Sequence, residues 1–284
     1  METRTHRLYA NGLNHHVRDS GGDAGPVALL LHGFPDTGAV WDRVTRRLTE
    51  AGFRIIAPDM RGFGESDMAG GKAGYDINAG AIPDSVEILR QLGVEAAHVV
   101  GHDFGAPVAW GLAARYPSLF RSLTAVSVGH ARAYLRAGPA QMARSWYVVM
   151  HQMRGLCEAL YRAGDWRLLR RHWSSAGDVD AVIANLSRPG RLAAALDWYR
   201  ANLSLARMLR QPPMGAFGEE IVRAPTLGLW SDGEAYLTEK QMRLSEDYVE
   251  APWRYCRIDG ASHWIQLDAP DALAGALIAH WRAA

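Results

Sequence analysis

The sequence predicts an α/β protein with a mostly parallel central sheet, flanked by helices and interrupted by one all-helical segment. Three observations carry that expectation. Strand and helix patterns alternate through the first 130 residues, the alternation stops over 131–213, and it resumes from there to the C-terminus. Alternation of this kind implies strands covered by helices on both faces. The composition, 48% hydrophobic and 21% charged over 284 residues, excludes disordered and fibrous classes and supplies a substantial core.

The elements follow in order. HRLYANG and LNHHVRD make a short hairpin, and VALLLHG is a buried strand ending at glycine. VWDRVTRRLTEAG has helical spacing and a terminal glycine, and RIIAPDMRGFG is a strand with its turn. SVEILRQLG is helical, AAHVVGH an apolar strand, APVAWGLAARYP a helix closed by proline, and LTAVSVGH another strand. WYVVMHQMRGLCEALYR, DWRLLRRHW and RLAAALDWYRANLSLARML are all helical, and RQPP ends that segment. APTLGLW and RYCRIDG restore the strands, and DALAGALIAHW closes the chain as a helix. The division expected is a core domain of 1–130 and 214–284 around a helical domain of 131–213.

Bulk properties narrow the function. Cys157 and Cys256 are too few for a disulfide framework and have no metal-ligand spacing. The polar N-terminus, METRTHRLYANG, has no secretory core, and the longest apolar runs, such as VALLL, fall far short of a membrane span. A cytoplasmic protein with no membrane insertion is expected, with a homo-oligomer left open. The formal net charge of +1 hides an asymmetry: residues 131–213 hold 13 Arg, no Lys and five acids. No aromatic-basic pattern accompanies them, so nucleic acid is not the expected partner, and a solvated arginine face is the simpler account.

GHDFGAPVAW at 101–110 has the glycine frame of a nucleophile elbow, with Asp103 where serine usually stands. It follows a buried strand and opens a helix, the setting that motif requires. Gly101 and Gly105 permit close backbone approach, Pro107 is tolerated in a first helical turn, and the helix N-terminus favours an ionised Asp103. HGFPD at 32–36 ends another buried strand, where such a fold places its second oxyanion donor; the expected donors are the amides of Phe34 and Phe104. His32 itself is expected to be structural. GASHW supplies His263, the one histidine of 11 in a post-strand loop near the C-terminus. WSDGEAYLTE offers Asp232 and Glu234 as its acidic partner.

HGFPD, APDMRGFGES, GHDFGAPVAW, WYRANL and GASHW, in this order, resemble the epoxide hydrolase branch of the α/β-hydrolase family over nearly the whole chain. The resemblance implies the α/β-hydrolase fold, with 131–213 as its cap. It places the acid two residues before an aromatic-leucine pair, here Tyr236-Leu237, which favours Glu234; the family usually has aspartate, so Asp232 stays in play. It also implies two cap tyrosines that hydrogen-bond the epoxide oxygen, matched closely by Tyr199 and less closely by Tyr147.

The chemistry implied is attack by Asp103 on an epoxide carbon, then hydrolysis of the alkyl-aspartyl ester by water activated at His263. No metal or organic cofactor is required, and the pocket walls suggest an apolar small-molecule epoxide. The resemblance extends to dehalogenases of the same fold. Haloalkane dehalogenases carry Asn and Trp where this chain has Phe34 and Phe104; haloacetate dehalogenases carry arginines after the nucleophile, where this chain has Phe104 and Pro107. A non-catalytic ligand-binding protein of this fold is the third reading.

Overall fold

The computed structural model describes residues 3–21, 25–173, 176–204 and 221–284. Its strands are β1 (Arg4–Ala10), β2 (Leu13–Asp19), β3 (Val27–Leu31), β4 (Arg54–Pro58), β5 (Ala97–His102), β6 (Phe120–Val126), β7 (Thr226–Gly233) and β8 (Trp253–Ser262). They form one sheet in the order β1-β2-β4-β3-β5-β6-β7-β8. The hairpin β1–β2 and the β2–β4 pair are antiparallel, and every pairing from β4 to β8 is parallel.

The sheet is a mixed one for a physical reason visible in its burial. β5 reads Ala-His-Val-Val-Gly-His and is buried at all six positions, as a strand covered on both faces must be. β1 alternates exposed with half-buried positions, as an edge strand with one solvated face does. Helices α1 (Asp42–Glu50), α2 (Ile82–Gln91) and α3 (Gly105–Arg115) cross between the parallel strands. Separate apolar clusters form on the two sides, one around Leu29, Val99 and Val108, the other around Leu30, Val44 and Leu277.

After β6 the described residues run through six helices: α4 (Ala131–Arg136), α5 (Pro139–Arg144), α6 (Trp146–Gln152), α7 (Leu156–His172), α8 (Val179–Ser187) and α9 (Arg191–Asn202). The stretch 146–162, expected as one helix, is broken after Gln152. Gly155 there has φ 80°, a conformation that ends a helix at little cost only for glycine. A second departure lies inside α7, where Ala163 to Trp166 leave helical geometry and so separate the two apolar patterns read from the sequence. The expected continuation of α9 to residue 209, and the RQPP stretch, lie outside the described residues.

α9 is fixed to the core through one face. Trp198 is fully buried and donates Nε1 to the Arg61 carbonyl at 3.1 Å. Asn202 accepts from the Ile77 amide at 3.1 Å and donates to the Tyr75 carbonyl at 2.8 Å. Truncating a side chain buried like Trp198 costs about 3–5 kcal/mol, so its packing helps to hold the position of neighbouring Tyr199. The chain then closes with α10 (Glu239–Arg243), α11 (Ile265–Asp268) and α12 (Pro270–Trp281). The closing helix expected at DALAGALIAHW is thus present, and the short α11, not expected from the sequence, precedes it across Ala269.

Candidate active site

The elbow lies between β5 and α3, and Asp103 adopts φ 51° there. A non-glycine residue in that region is strained, though Asp and Asn tolerate it better than most. Packing enforces it. A Cβ on Gly101 would collide with the Gly105 carbonyl, and one on Gly105 with the carbonyls of Leu31 and His32. The third close approach is at Gly33, where a Cβ would strike the Asp103 side chain and the Phe104 amide. β3 and β5 are parallel neighbours with Leu31 opposite Gly101, so their C-terminal loops meet at this point.

The carboxylate of Asp103 is buried, and burial alone would raise its pKa. Facing His263, His102 and the Phe34 amide outweigh that and hold it below the ordinary carboxylate range. The Phe34 amide donates to Oδ1 at 2.8 Å, while the Phe104 amide, beside it, is bonded to no described residue. Asp36, two residues beyond Phe34, has the opposite fate. Burial, and then the charge of Asp103, push its pKa well above the ordinary value, while Trp264 Nε1 donates to it at 3.2 Å. The pKa values of two neighbouring carboxyl groups are thus pushed in opposite directions, Asp103 down and Asp36 up.

His263 follows β8 and joins the two ends of the site. Its Nε2 faces Asp103 Oδ2 at 3.6 Å, and its Nδ1 bonds Glu234 Oε2 at 2.5 Å. Burial opposes a charge on the ring, but Glu234 and Asp103 on its two sides raise its pKa to about 10. The Glu234 carboxylate is fully buried after β7, and its other oxygen accepts from the amides of Tyr236 and Leu237 at 2.8 and 3.3 Å. Asp232 points elsewhere: its Oδ1 accepts from the Gly260 amide at 2.7 Å, tying β7 to the turn within β8. Behind the ring, His102 Nε2 donates to the His263 carbonyl at 2.9 Å while its Nδ1 accepts from Gln266 at 3.0 Å. Burial lowers the pKa of His102 to about 3, so it serves as a neutral brace. His32 is likewise satisfied, donating Nδ1 to the Gly33 carbonyl and accepting at Nε2 from the Met60 amide.

Above Asp103 the helical segment contributes a roof. Tyr147 from α6 and Tyr199 from α9 line the same cavity as Asp103 and His263, and the phenol rings stand 6.0 Å apart at 88°. Neither hydroxyl bonds a described residue. Burial keeps both phenols protonated, reinforced by the charge of Asp103, so each has a proton to donate into the cavity. Arg200 ties the roof together, bonding the His151 carbonyl, Glu158 and Asp197 from one buried guanidinium. The cavity is otherwise walled by aromatic and apolar groups, among them Phe34, Trp146, Met150 and Leu169.

The structure thus brings together seven of the eight residues expected in the site, with Asp232 outside it. It adds His151, Tyr161, Asp36, Trp264 and His102, which sequence reasoning did not single out. His151 lies one helical turn beyond Tyr147, an i, i+4 signal the sequence did contain, and bonds Tyr161 at 2.9 Å. Among the described residues no group of three or more His, Cys, Asp or Glu side chains is placed to hold a metal ion.

The sequence matches the family described as alpha/beta hydrolase fold over residues 26–270. The chain belongs to the α/β-hydrolase family. It is 29% identical to Epoxide hydrolase 4 of Homo sapiens, over 93% of this chain and 75% of that protein. It is 31% identical to the AB hydrolase superfamily protein YfhM of Bacillus subtilis (strain 168), over 92% of this chain and 91% of the other. Among solved structures it is similar to Cfl2 from Burkholderia cenocepacia, with TM-score 0.82 and 29% identity over 97% of this chain and 94% of that one. The candidate site residues of the core stand at the carboxyl ends of β3, β5, β7 and β8, where open α/β sheets place their ligand sites.

Proposed function

We propose that the chain is an epoxide hydrolase, converting an epoxide to a vicinal diol through an ester formed on Asp103. One observation carries this. A buried carboxylate, an imidazole backed by a second carboxylate, and two phenols free to donate all face one small apolar cavity. An ionised aspartate can displace an oxygen from saturated carbon without a base, whereas serine needs one. The names of similar proteins, Epoxide hydrolase 4 among them, support the same reading.

In the first step Asp103 Oδ2, the oxygen without an amide donor, forms a bond to an epoxide carbon while the ring C–O bond breaks. Tyr147 and Tyr199 donate to the departing oxygen and one of them supplies its proton. Esterification removes the charge of Asp103, one of the two carboxylates that raise the pKa of His263. The imidazolium can then yield its proton back towards the phenol and become a base. In the second step His263, oriented by Glu234, takes a proton from water as the water oxygen bonds Asp103 Cγ. The negative charge forms on Oδ1, at the amides of Phe34 and Phe104. The bond from Cγ to Oδ2 then breaks, and the imidazolium of His263 gives its proton to Oδ2 as the diol leaves. His263 takes the proton of the new Asp103 carboxyl group, which restores the starting pair.

Residues 131–213 are taken as the cap domain of this enzyme and 1–130 with 214–284 as its core. The apolar walls of the cavity favour an apolar epoxide. Phe104 packs its ring edge-on against Tyr199 at 4.6 Å and offers no side-chain donor to a halide, which weighs against dehalogenation. The test is a screen for diol formation over small aryl, terminal and internal epoxides, with halide release from haloacetate and bromoalkanes assayed beside it. Turnover of an epoxide that is abolished in Asp103→Asn is expected. Halide release without diol formation, or tight binding without turnover, would overturn the proposal.

A further inference from the structure

The described residues expose nine large apolar side chains, and seven of them lie between residues 135 and 160. Trp146, Val149, Met153, Leu156 and Leu160 recur at spacings of three and four, along α6, the Met153–Gly155 link and the start of α7. Within each helix that spacing keeps side chains on one face, Trp146 with Val149 on α6 and Leu156 with Leu160 on α7. Val149 is 69% exposed and Trp146 50%. Scattered exposed apolar residues need no explanation, but a cluster of this kind marks an interaction surface.

The charges around it are mostly positive, although Asp247 pairs with Arg136, Asp197 with Arg154, and Asp165 and Asp180 with Arg170. Over 135–172 the exposed charged residues are seven arginines and a single acid, Asp165. Arg162, Arg167 and Arg171 make no ion pair among the described residues. The catalytic cavity opens on this same surface: Trp146 and His172 are both exposed, both line the cavity, and their rings lie 6.4 Å apart. A second copy of the chain docked here by two-fold symmetry would bring two arginine sets together and cover the opening. An anionic bilayer complements the charge, accepts the apolar side chains, and can deliver an apolar molecule to the mouth. No described helix is long and apolar enough to cross a membrane, so the contact would be peripheral.

We propose that this arginine-rimmed apolar surface docks on anionic phospholipid bilayers and that the cavity takes its substrate from them. The docking stands apart from the proposed activity; the delivery of an epoxide rests on it. The experiment is flotation of the full chain with vesicles of phosphatidylcholine alone or mixed with phosphatidylglycerol. Flotation with the mixed vesicles only, reversed by high salt, is expected. An arginine near an anionic surface is worth about fivefold in affinity, so replacing Arg162, Arg167 and Arg171 with Gln should weaken binding on the order of a hundredfold. Val149→Glu with Leu156→Glu should abolish flotation while turnover of a small water-soluble epoxide is unchanged. No flotation, or equal flotation on phosphatidylcholine alone, overturns the proposal. So does a dimer in sedimentation that Val149→Glu dissociates, or retention on polyglutamate without retention on vesicles. Expected flotation in a chain that turns over no epoxide leaves the docking standing and removes the proposed activity.

Discussion

The Phe34 amide donates to one oxygen of Asp103 at 2.8 Å, which makes the two oxygens of that carboxylate unequal. In the proposed mechanism Oδ1 takes the oxyanion position, while Oδ2 faces His263. A single turnover in heavy-oxygen water should therefore give unlabelled diol and leave label on Asp103, read by mass spectrometry of the peptide that contains it. Label passing directly into the diol, with none in the protein, would rule out the ester.

Removing the base should separate the two steps. His263→Gln should still be alkylated, because Asp103 is held ionised by the Phe34 amide and the helix N-terminus as well. It should then accumulate ester that survives to intact-mass measurement. Loss of the initial burst in a normally folded variant would mean that His263 serves the first step instead.

The two candidate acids make a clean contrast. Glu234→Gln leaves His263 without its charged partner and should lower steady-state turnover by on the order of a thousandfold. Asp232→Asn touches the bond to the Gly260 amide and a long, exposed ion pair with Arg257, both outside the site, and should change turnover by less than about threefold. Comparable losses in both variants would contradict the geometry at Glu234.

The phenols are expected to act in ring opening alone. Tyr199→Phe and Tyr147→Phe should each slow single-turnover alkylation by about 10- to 100-fold, within the range for one positioned proton donor. Decay of preformed ester should be unchanged. A slower decay in either variant would place that phenol in the second step.

Stability should carry the mark of His263. Its folded pKa, about 10, lies above the ordinary 6.5, so the folded state binds this proton more tightly than the unfolded chain. The stabilisation is complete below pH 6.5 and lost as pH rises through about 10. The wild type should thus lose more stability between those values than His263→Gln, by roughly a few kcal/mol in chemical denaturation. Parallel profiles for the two proteins would show that the ring is neutral at rest.

Much of this was legible in the sequence because local rules and tertiary needs agree there. The β5–α3 elbow announces itself by glycines that only a close backbone approach requires, and His263 by its place after a strand. Choosing between Glu234 and Asp232 is a different matter. The two lie on either side of Gly233, and the turn that sends one inward depends on β8, which is distant in sequence. The break after Gln152 was hidden because the apolar spacing runs on through it, while Gly155 is only one glycine among 29. His151 was overlooked because a histidine on an apolar helix is ordinarily core, and only the fold reveals that Phe34, Tyr161 and Tyr199 surround it.

The left-handed backbone at Asp103 has a consequence for how this protein can be improved. That conformation aims the carboxylate into the cavity but lowers the margin of the fold, and glycine would adopt it freely. Selection for heat resistance alone is therefore drawn towards residues that relax the elbow, and the most tolerant of them has no carboxylate. A programme to harden this chain has to hold Asp103 fixed and seek its gains at exposed sites of the helical segment, away from the strained elbow that carries the proposed nucleophile.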